Sequence, residues 1–266
     1  MPTAVQGIVA MRFEYHRLAC RFAIAMAAVL IAGGAAQAGQ TSVAVAANFT
    51  EAAKEIGDAF KAETGHDAVL SFGSTGQLYT QISQGAPFEV FLAADALRPA
   101  RAVSNGYGVD GTAFTYAVGR IVLWSADADL VNGGETLTGG GFDKIAIANP
   151  ETAPYGTAAV EAMKALGVFD ALAAKIVRGN NIAQTFQFVQ TGNAELGFVA
   201  LSQIAADDDG SRWVVPSELY APIRQDAVLL KAGTGNEAAS DFLDFLKGDT
   251  ATAIIEKYGY GVESAK

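Results

Sequence analysis

The sequence predicts an α/β protein of two lobes, and two observations predict it. Apolar, strand-like segments alternate with amphipathic helical ones along most of the chain. Two long extended runs, Thr112–Ala126 and Trp213–Gly233, bracket a middle segment. Strand–helix alternation with mostly apolar strands implies parallel pairing with helices on both faces. Two extended runs around a middle segment imply that the chain crosses between lobes twice. The expected division is 41–117 plus 224–266 for the first lobe and 118–223 for the second, with hinge-like crossings near Tyr116–Arg120 and Ser217–Arg224.

Each element has a local reason. TSVAVAANF, Thr41–Phe49, is a Val- and Ala-rich strand. In the segment after it, Ala52, Ala53, Ile56 and Phe60 recur at helical spacing, and Gly65 supplies the stop. DAVLSFG reads as a strand, GQLYTQISQG as a helix, FEVFLAAD as a strand and ALRPARAVSNGY as a short helix. The run TAFTYAVGRIVLWSA reads as one long strand with Gly119 in its middle, and NGGETLTGGGF as a glycine-rich loop. Alternation resumes with DKIAIANP as a strand, helices over Gly156–Leu166 and Phe169–Ile176, a helix in NNIAQTFQFVQTGN and a strand in ELGFVAL. NEAASDFLDFLKG and TATAIIEKYGY close the chain as helices.

The first 38 residues read as an export signal. Arg12, Arg17 and Arg21 precede the apolar run Phe22–Ala36, and Ala36-Gln37-Ala38 is a small-x-small cleavage pattern. That run is shorter than the ~20 residues of a membrane-spanning helix. Either Met1 or Met11 serves as the start of such a signal. Removal takes away Cys20, the one cysteine, so no disulfide or thiolate chemistry remains, and a bacterial periplasm is the expected location. The net charge of −10 becomes −12 without the leader, which argues against nucleic acid or an anionic membrane as partner.

Four strand-to-helix turns carry the chemistry: AANFT, FGSTG, NPETAPYGT and GNNIAQ. Asn48 offers an amide in the first. Ser74 and Thr75 offer hydroxyls in the second. Tyr155 opens the third helix after Pro154, and Ile182 follows two asparagines in the fourth. Each helix start leaves unpaired N–H groups and about half a positive charge. Any one such turn is ordinarily just a cap. Four in one two-lobed frame can surround a small anion with neutral donors.

The chain resembles, nearly end to end, the periplasmic molybdate-binding proteins of ABC importers (ModA type). The matching pieces are VAVAANFTEA, LSFGSTGQLYTQISQGAPFEVFLAAD, IANPETAPYGTAAVEAM, NIAQTFQFVQTGNAELGFVALSQ and FLDFLKGDTATAIIEKYGY. The resemblance implies a type II periplasmic binding fold with mixed sheets flanked by helices and two crossing hinge strands. It implies a tetrahedral oxyanion ligand, molybdate or tungstate, and an inner-membrane ABC permease as partner. The ligand positions it implies are Asn48, Thr75, Tyr155 and Ile182, the last through its backbone N–H. A fifth family position, a Tyr donor in some members, falls on Ala200, which has no side-chain donor.

Other classes find little support. His66, at a helix end, reads as a surface residue, and no Ser–His–Asp set, nucleophile elbow or Ser-x-x-Lys pair forms around it. One histidine and no cysteine leave little for zinc or copper. The expectation is a monomeric binding protein with no catalytic residues and no cofactor. Sulfate or an organic anion is the alternative ligand, and a hydrolase the remotest reading.

Overall fold

The computed structural model describes residues 38–206 and 209–262. The predicted export signal, apart from Ala38, lies outside the described residues. Gly39–Lys266 clusters as one unit by itself.

β1 (Gln40–Ala46) runs into a single 3₁₀ turn, Ala47–Phe49, and then α1 (Thr50–Thr64). Gly65 ends α1 at φ 78°, a left-handed angle that glycine adopts without penalty, and its N–H bonds the Lys61 carbonyl. β2 (Asp67–Gly73), α2 (Thr75–Ser83), β3 (Val90–Leu92), α3 (Leu97–Ser104) and β4 (Phe114–Gly119) follow. The chain then enters β5 (Ile121–Ser125), a one-turn α4 (Thr136–Gly139), β6 (Ile145–Ala148), α5 (Pro154–Ala165) and a one-turn α6 (Phe169–Leu172). β7 (Ile176–Gly179), α7 (Ile182–Gln190), β8 (Leu196–Ala200) and β9 (Ser211–Val214) complete the middle segment. β10 (Ile223–Leu229), α8 (Glu237–Leu246) and α9 (Asp249–Lys257) return to the first half.

Two five-stranded sheets result, in the orders β2-β1-β3-β10-β4 and β7-β6-β8-β5-β9. Both are mixed. β1 pairs parallel with β2 and β3, and β6 with β7 and β8. β10 and β5, the strands that follow a crossing, run antiparallel to their neighbours. Alternation alone implied parallel sheets; the two crossings reverse these strands. The crossings lie side by side, since Ile223 pairs with Gly119 and the Val215 N–H bonds the Ile121 carbonyl.

Helices cover both faces of the first sheet. Phe49, Ile56, Phe60, Phe242 and Leu243 pack on one side, and Leu78, Ile82, Phe91 and Val228 on the other. Fully burying one such side chain contributes about 1.5–3 kcal/mol. In the second sheet Ile121, Leu123, Ile147, Met163 and Phe198 form the larger core. That core also takes in Ala46, Ala47 and Ala94 from the first half, so apolar packing is continuous beneath the cleft.

Four expectations need correction. The run Thr112–Ala126 is two strands that part at Arg120 and join different sheets. FEVFLAAD contributes only three strand residues. The segment Phe169–Ile176 is one helical turn and a 3₁₀ turn, Ala173–Lys175, and Ile176 already opens β7. The glycine-rich loop contains α4, which buries Leu137.

Among the described residues two buried hydroxyls, those of Thr41 and Thr152, have no hydrogen-bond partner. Thr41 is fully buried in β1 and its Oγ1 has no hydrogen-bond partner. Replacing it with a methyl of the same shape removes that desolvation cost. Thr41→Val is expected to raise stability by about 1 kcal/mol, read as a higher midpoint in chemical denaturation with an unchanged slope.

Candidate oxyanion pocket

All four helix starts reach one place. Ala47 and Asn48 from the turn before α1, Ser74 and Thr75 at α2, Pro154 and Tyr155 at α5, and Asn181 and Ile182 at α7 line a single pocket. Ala46, Gly73, Ala94 and Ala153 complete its wall. Its space is about 200 Å³ including the mouth. None of these lining residues carries a formal charge.

The local chemistry explains each wall. Ser74 caps α2 by accepting from the Gln77 N–H at 3.4 Å. Thr75 Oγ1 accepts from the buried Ala94 N–H at 3.0 Å, which fixes the rotor and leaves its own proton to donate. Pro154 stands at the first turn of α5, where the missing N–H costs nothing, and the Tyr155 N–H precedes the first intrahelical bond. Asn181 caps α7 through Oδ1 to the Gln184 N–H at 2.9 Å, leaving the Ile182 N–H at the open end. These three helices point their positive ends at the pocket.

Thr75, Tyr155 and Ile182 thus meet as the sequence reading expected, with 1%, 2% and 3% exposure. Asn48 meets them too, but its side chain is engaged elsewhere. Asn48 Nδ2 donates to Gln225 Oε1 at 2.8 Å and to Tyr260 Oη at 3.0 Å. Its carbonyl accepts from Ser202 Oγ at 2.8 Å and Tyr260 Oη at 2.7 Å. Ala200, which lacks the donor, ends β8 two residues before that Ser202. The Tyr155 hydroxyl also faces this network and accepts from Gln225 Nε2 at 3.3 Å.

Gln225, Tyr116, Tyr260 and Ser202 went unseen in the sequence. For Gln225 a signal existed: it interrupts the buried stripe Ile223, Gln225, Ala227, Leu229 of an alternating strand. Tyr116, Tyr155 and Tyr260 all have phenol pKa values raised by burial, so each stays a neutral hydroxyl at physiological pH.

The two halves touch around the pocket. The Gly76 N–H donates to the Thr152 carbonyl at 2.8 Å. Arg98, paired with Asp95, donates to the Glu151 carbonyl at 3.1 Å. His66 is far from this site and is not a surface residue. It is 5% exposed, accepts from the Gly39 N–H at 2.8 Å and has Asp241 Oδ2 at 3.3 Å from Nε2.

A small pocket whose walls come from two sheets joined by paired crossings defines a class: the two-lobed receptors that enclose a solute. The family model for bacterial extracellular solute-binding proteins matches residues 41–261. The molybdate-binding protein ModA of Rhodobacter capsulatus is 54% identical over 241 residues, covering 91% of this chain and 96% of its own. ModA of Azotobacter vinelandii is 52% identical over 247 residues, covering 91% and 98%. A solved structure of the Azotobacter vinelandii periplasmic molybdate-binding protein superposes with a TM-score of 0.82 at 41% identity, covering 84% of this chain and all of its own. This chain belongs to the ModA family of bacterial extracellular solute-binding proteins.

Proposed function

We propose that the protein captures molybdate or tungstate between its lobes in the periplasm and delivers it to the permease of an ABC importer. The observation that carries the reading is the convergence of four helix starts on one small pocket lined by uncharged residues. In this reading Thr75 donates through Oγ1, and Asn48, Tyr155 and Ile182 donate through their main-chain N–H groups. It acts as a monomeric receptor, with no cofactor and no catalytic step. Sheet membership supports a lobe division close to 41–117 plus 224–266 and 118–223, with β4 carrying the first lobe on to Gly119 and β10 re-entering it at Ile223. The lobes would close about the paired crossings.

The donor set suits the ligand. Molybdate and tungstate are dianions without a proton at neutral pH, so every oxygen wants a donor. Phosphate keeps a proton in part and would need an acceptor such as a carboxylate, and no carboxylate lines this pocket. Each hydrogen bond to a charged group contributes about 1.5–3 kcal/mol. About half a dozen would offset desolvation and leave the ~12 kcal/mol of nanomolar binding. The acidic surface is no obstacle, because salt screens it beyond about 8 Å while helix ends act at contact distance.

Calorimetric titration with molybdate, tungstate, sulfate and phosphate tests the reading. Tight binding of the first two, with sulfate at least about 100-fold weaker and phosphate silent, is expected. Preference for sulfate or phosphate would overturn it.

A further inference from the structure

We propose that Gln225 is a positioning residue for the oxyanion pocket: one buried amide in β10 holds Asn48 of the first lobe and Tyr155 of the second in register across the cleft. The inference rests on the reading of that pocket as an oxyanion site. Gln225 does not line the pocket itself and would act through the two residues it holds.

The geometry is specific. Gln225 is fully buried and lies where the β10–β4 register shifts, between Gln225 and Asp226. Its Oε1 accepts from Asn48 Nδ2 at 2.8 Å and from Tyr116 Oη at 3.2 Å. Its Nε2 donates to Tyr155 Oη at 3.3 Å. A primary amide accepts and donates at once across the two lobes; an ionised carboxylate lacks the donor and a hydrocarbon lacks both. The crossing is built to admit it. A Cβ on Gly119 would overlap the Tyr155 hydroxyl and lie 2.8 Å from Gln225 Nε2, so glycine at the point where β4 leaves the first sheet makes room for the bridge.

The bridge also joins the pocket to the segments expected to move. Asn48 follows β1, Tyr155 opens α5, and Gln225 sits in the returning crossing. Tyr260 Oη and Ser202 Oγ, 2.9 Å apart, tie the same Asn48 carbonyl to the end of β8. Separation of the lobes would therefore break the Gln225–Tyr155 and Ser202–Asn48 bonds together. An oxyanion that draws Asn48 and Tyr155 onto one centre restores both, which gives the ligand a lever on closure.

Gln225→Glu tests this through pH. The titratable groups facing residue 225 are the phenols of Tyr116, Tyr155 and Tyr260, all neutral; the carboxylates of Asp226 and Asp95 act on Tyr116, and Arg224 and Asp226 flank residue 225 in β10. Burial raises the pKa of the new carboxyl, so lowering the pH from about 8 to about 5.5 shifts it toward the neutral acid. Molybdate binding by the variant is expected to be about 100-fold weaker than wild type at the higher pH and to recover about tenfold at the lower one. The wild type should be flat over that range. A variant that binds like wild type, or a deficit that does not change with pH, would overturn the proposal. Gln225→Met, neutral and of similar volume, keeps it falsifiable if the acid fails to fold. It should bind about tenfold more weakly, and X-ray scattering at saturating molybdate should give a larger radius of gyration than wild type. Unchanged affinity and radius would overturn the bridge. Wild type runs in every series, so absence of molybdate binding there counts against the pocket reading, whereas binding by wild type and variants alike counts against Gln225 alone.

Discussion

Gly156→Ala is expected to abolish useful oxyanion capture, lowering affinity by about 100-fold and stability by about 1–3 kcal/mol. The reason is where α5 begins. Its first turn is pressed against the end of β6 so closely that a Cβ on Gly156 would overlap the Ala148 carbonyl oxygen and lie 2.7 Å from the carbonyl carbon. Those atoms are backbone in a buried strand and cannot swing aside. The helix start must retreat, and the Tyr155 N–H moves with it. Because Tyr155 also meets Asn48 and Gln225, the displacement reaches more than one donor. A 100-fold change is about 2.7 kcal/mol, the equivalent of about one charge-assisted hydrogen bond at 1.5–3 kcal/mol spread over those donors. Gly139→Ala is the control, since nothing lies within 4 Å of a Cβ there, and it should leave binding unchanged. Calorimetry and urea denaturation read both quantities. Wild-type affinity in Gly156→Ala would show that the α5 start does not hold the ligand.

Thr75→Ala is expected to weaken oxyanion binding at least about tenfold. This hydroxyl has two duties. It accepts from the buried Ala94 N–H at 3.0 Å, and its proton is then aimed by elimination at the pocket. Alanine removes a donor to the anion and leaves the Ala94 N–H unpaired, which costs about 1–3 kcal/mol of stability as well. Thr75→Ser keeps the oxygen and should recover most of the affinity. The neighbouring hydroxyl, Ser74, accepts from the Gln77 N–H as the cap of α2 and keeps its own proton, so Ser74→Ala alongside Thr75→Ala separates the two hydroxyls. If Thr75→Ala binds as tightly as wild type, the assignment of its proton to the ligand is wrong.

What the sequence made legible was local chemistry. Ser74 before α2, Pro154 at the start of α5 and Asn181 before α7 are start signals that act within one turn, and all three stand where they were read. β2 was bounded correctly because an apolar run stops at a glycine. β7 was missed because it is a four-residue edge strand with an exposed Arg178 and no apolar run to announce it. The crossing was placed at Tyr116–Arg120, but its division into two strands was not, because the apolar pattern continues through Arg120; where β4 parts from β5 the Tyr155 hydroxyl rests on Gly119. His66 was misread for a similar reason. A helix-to-strand connection says nothing about α8, whose Asp241 lies against the histidine. The polar network behind the pocket joins residues 58 to 212 positions apart, beyond the reach of any local pattern. Its one visible trace, a glutamine on a buried stripe, acquires meaning only when Asn48 and Tyr155 are seen on either side of it.

The central claim is that a fully deprotonated oxyanion is held here by neutral donors at helix starts. A crystal structure with bound molybdate tests it most directly. The account expects the ion within hydrogen-bond distance of Thr75 Oγ1 and of the main-chain N–H groups of Asn48, Tyr155 and Ile182, with Arg98 still paired to Asp95. An ion seated in another cavity, or one held by the Arg98 guanidinium or any lysine, would contradict it.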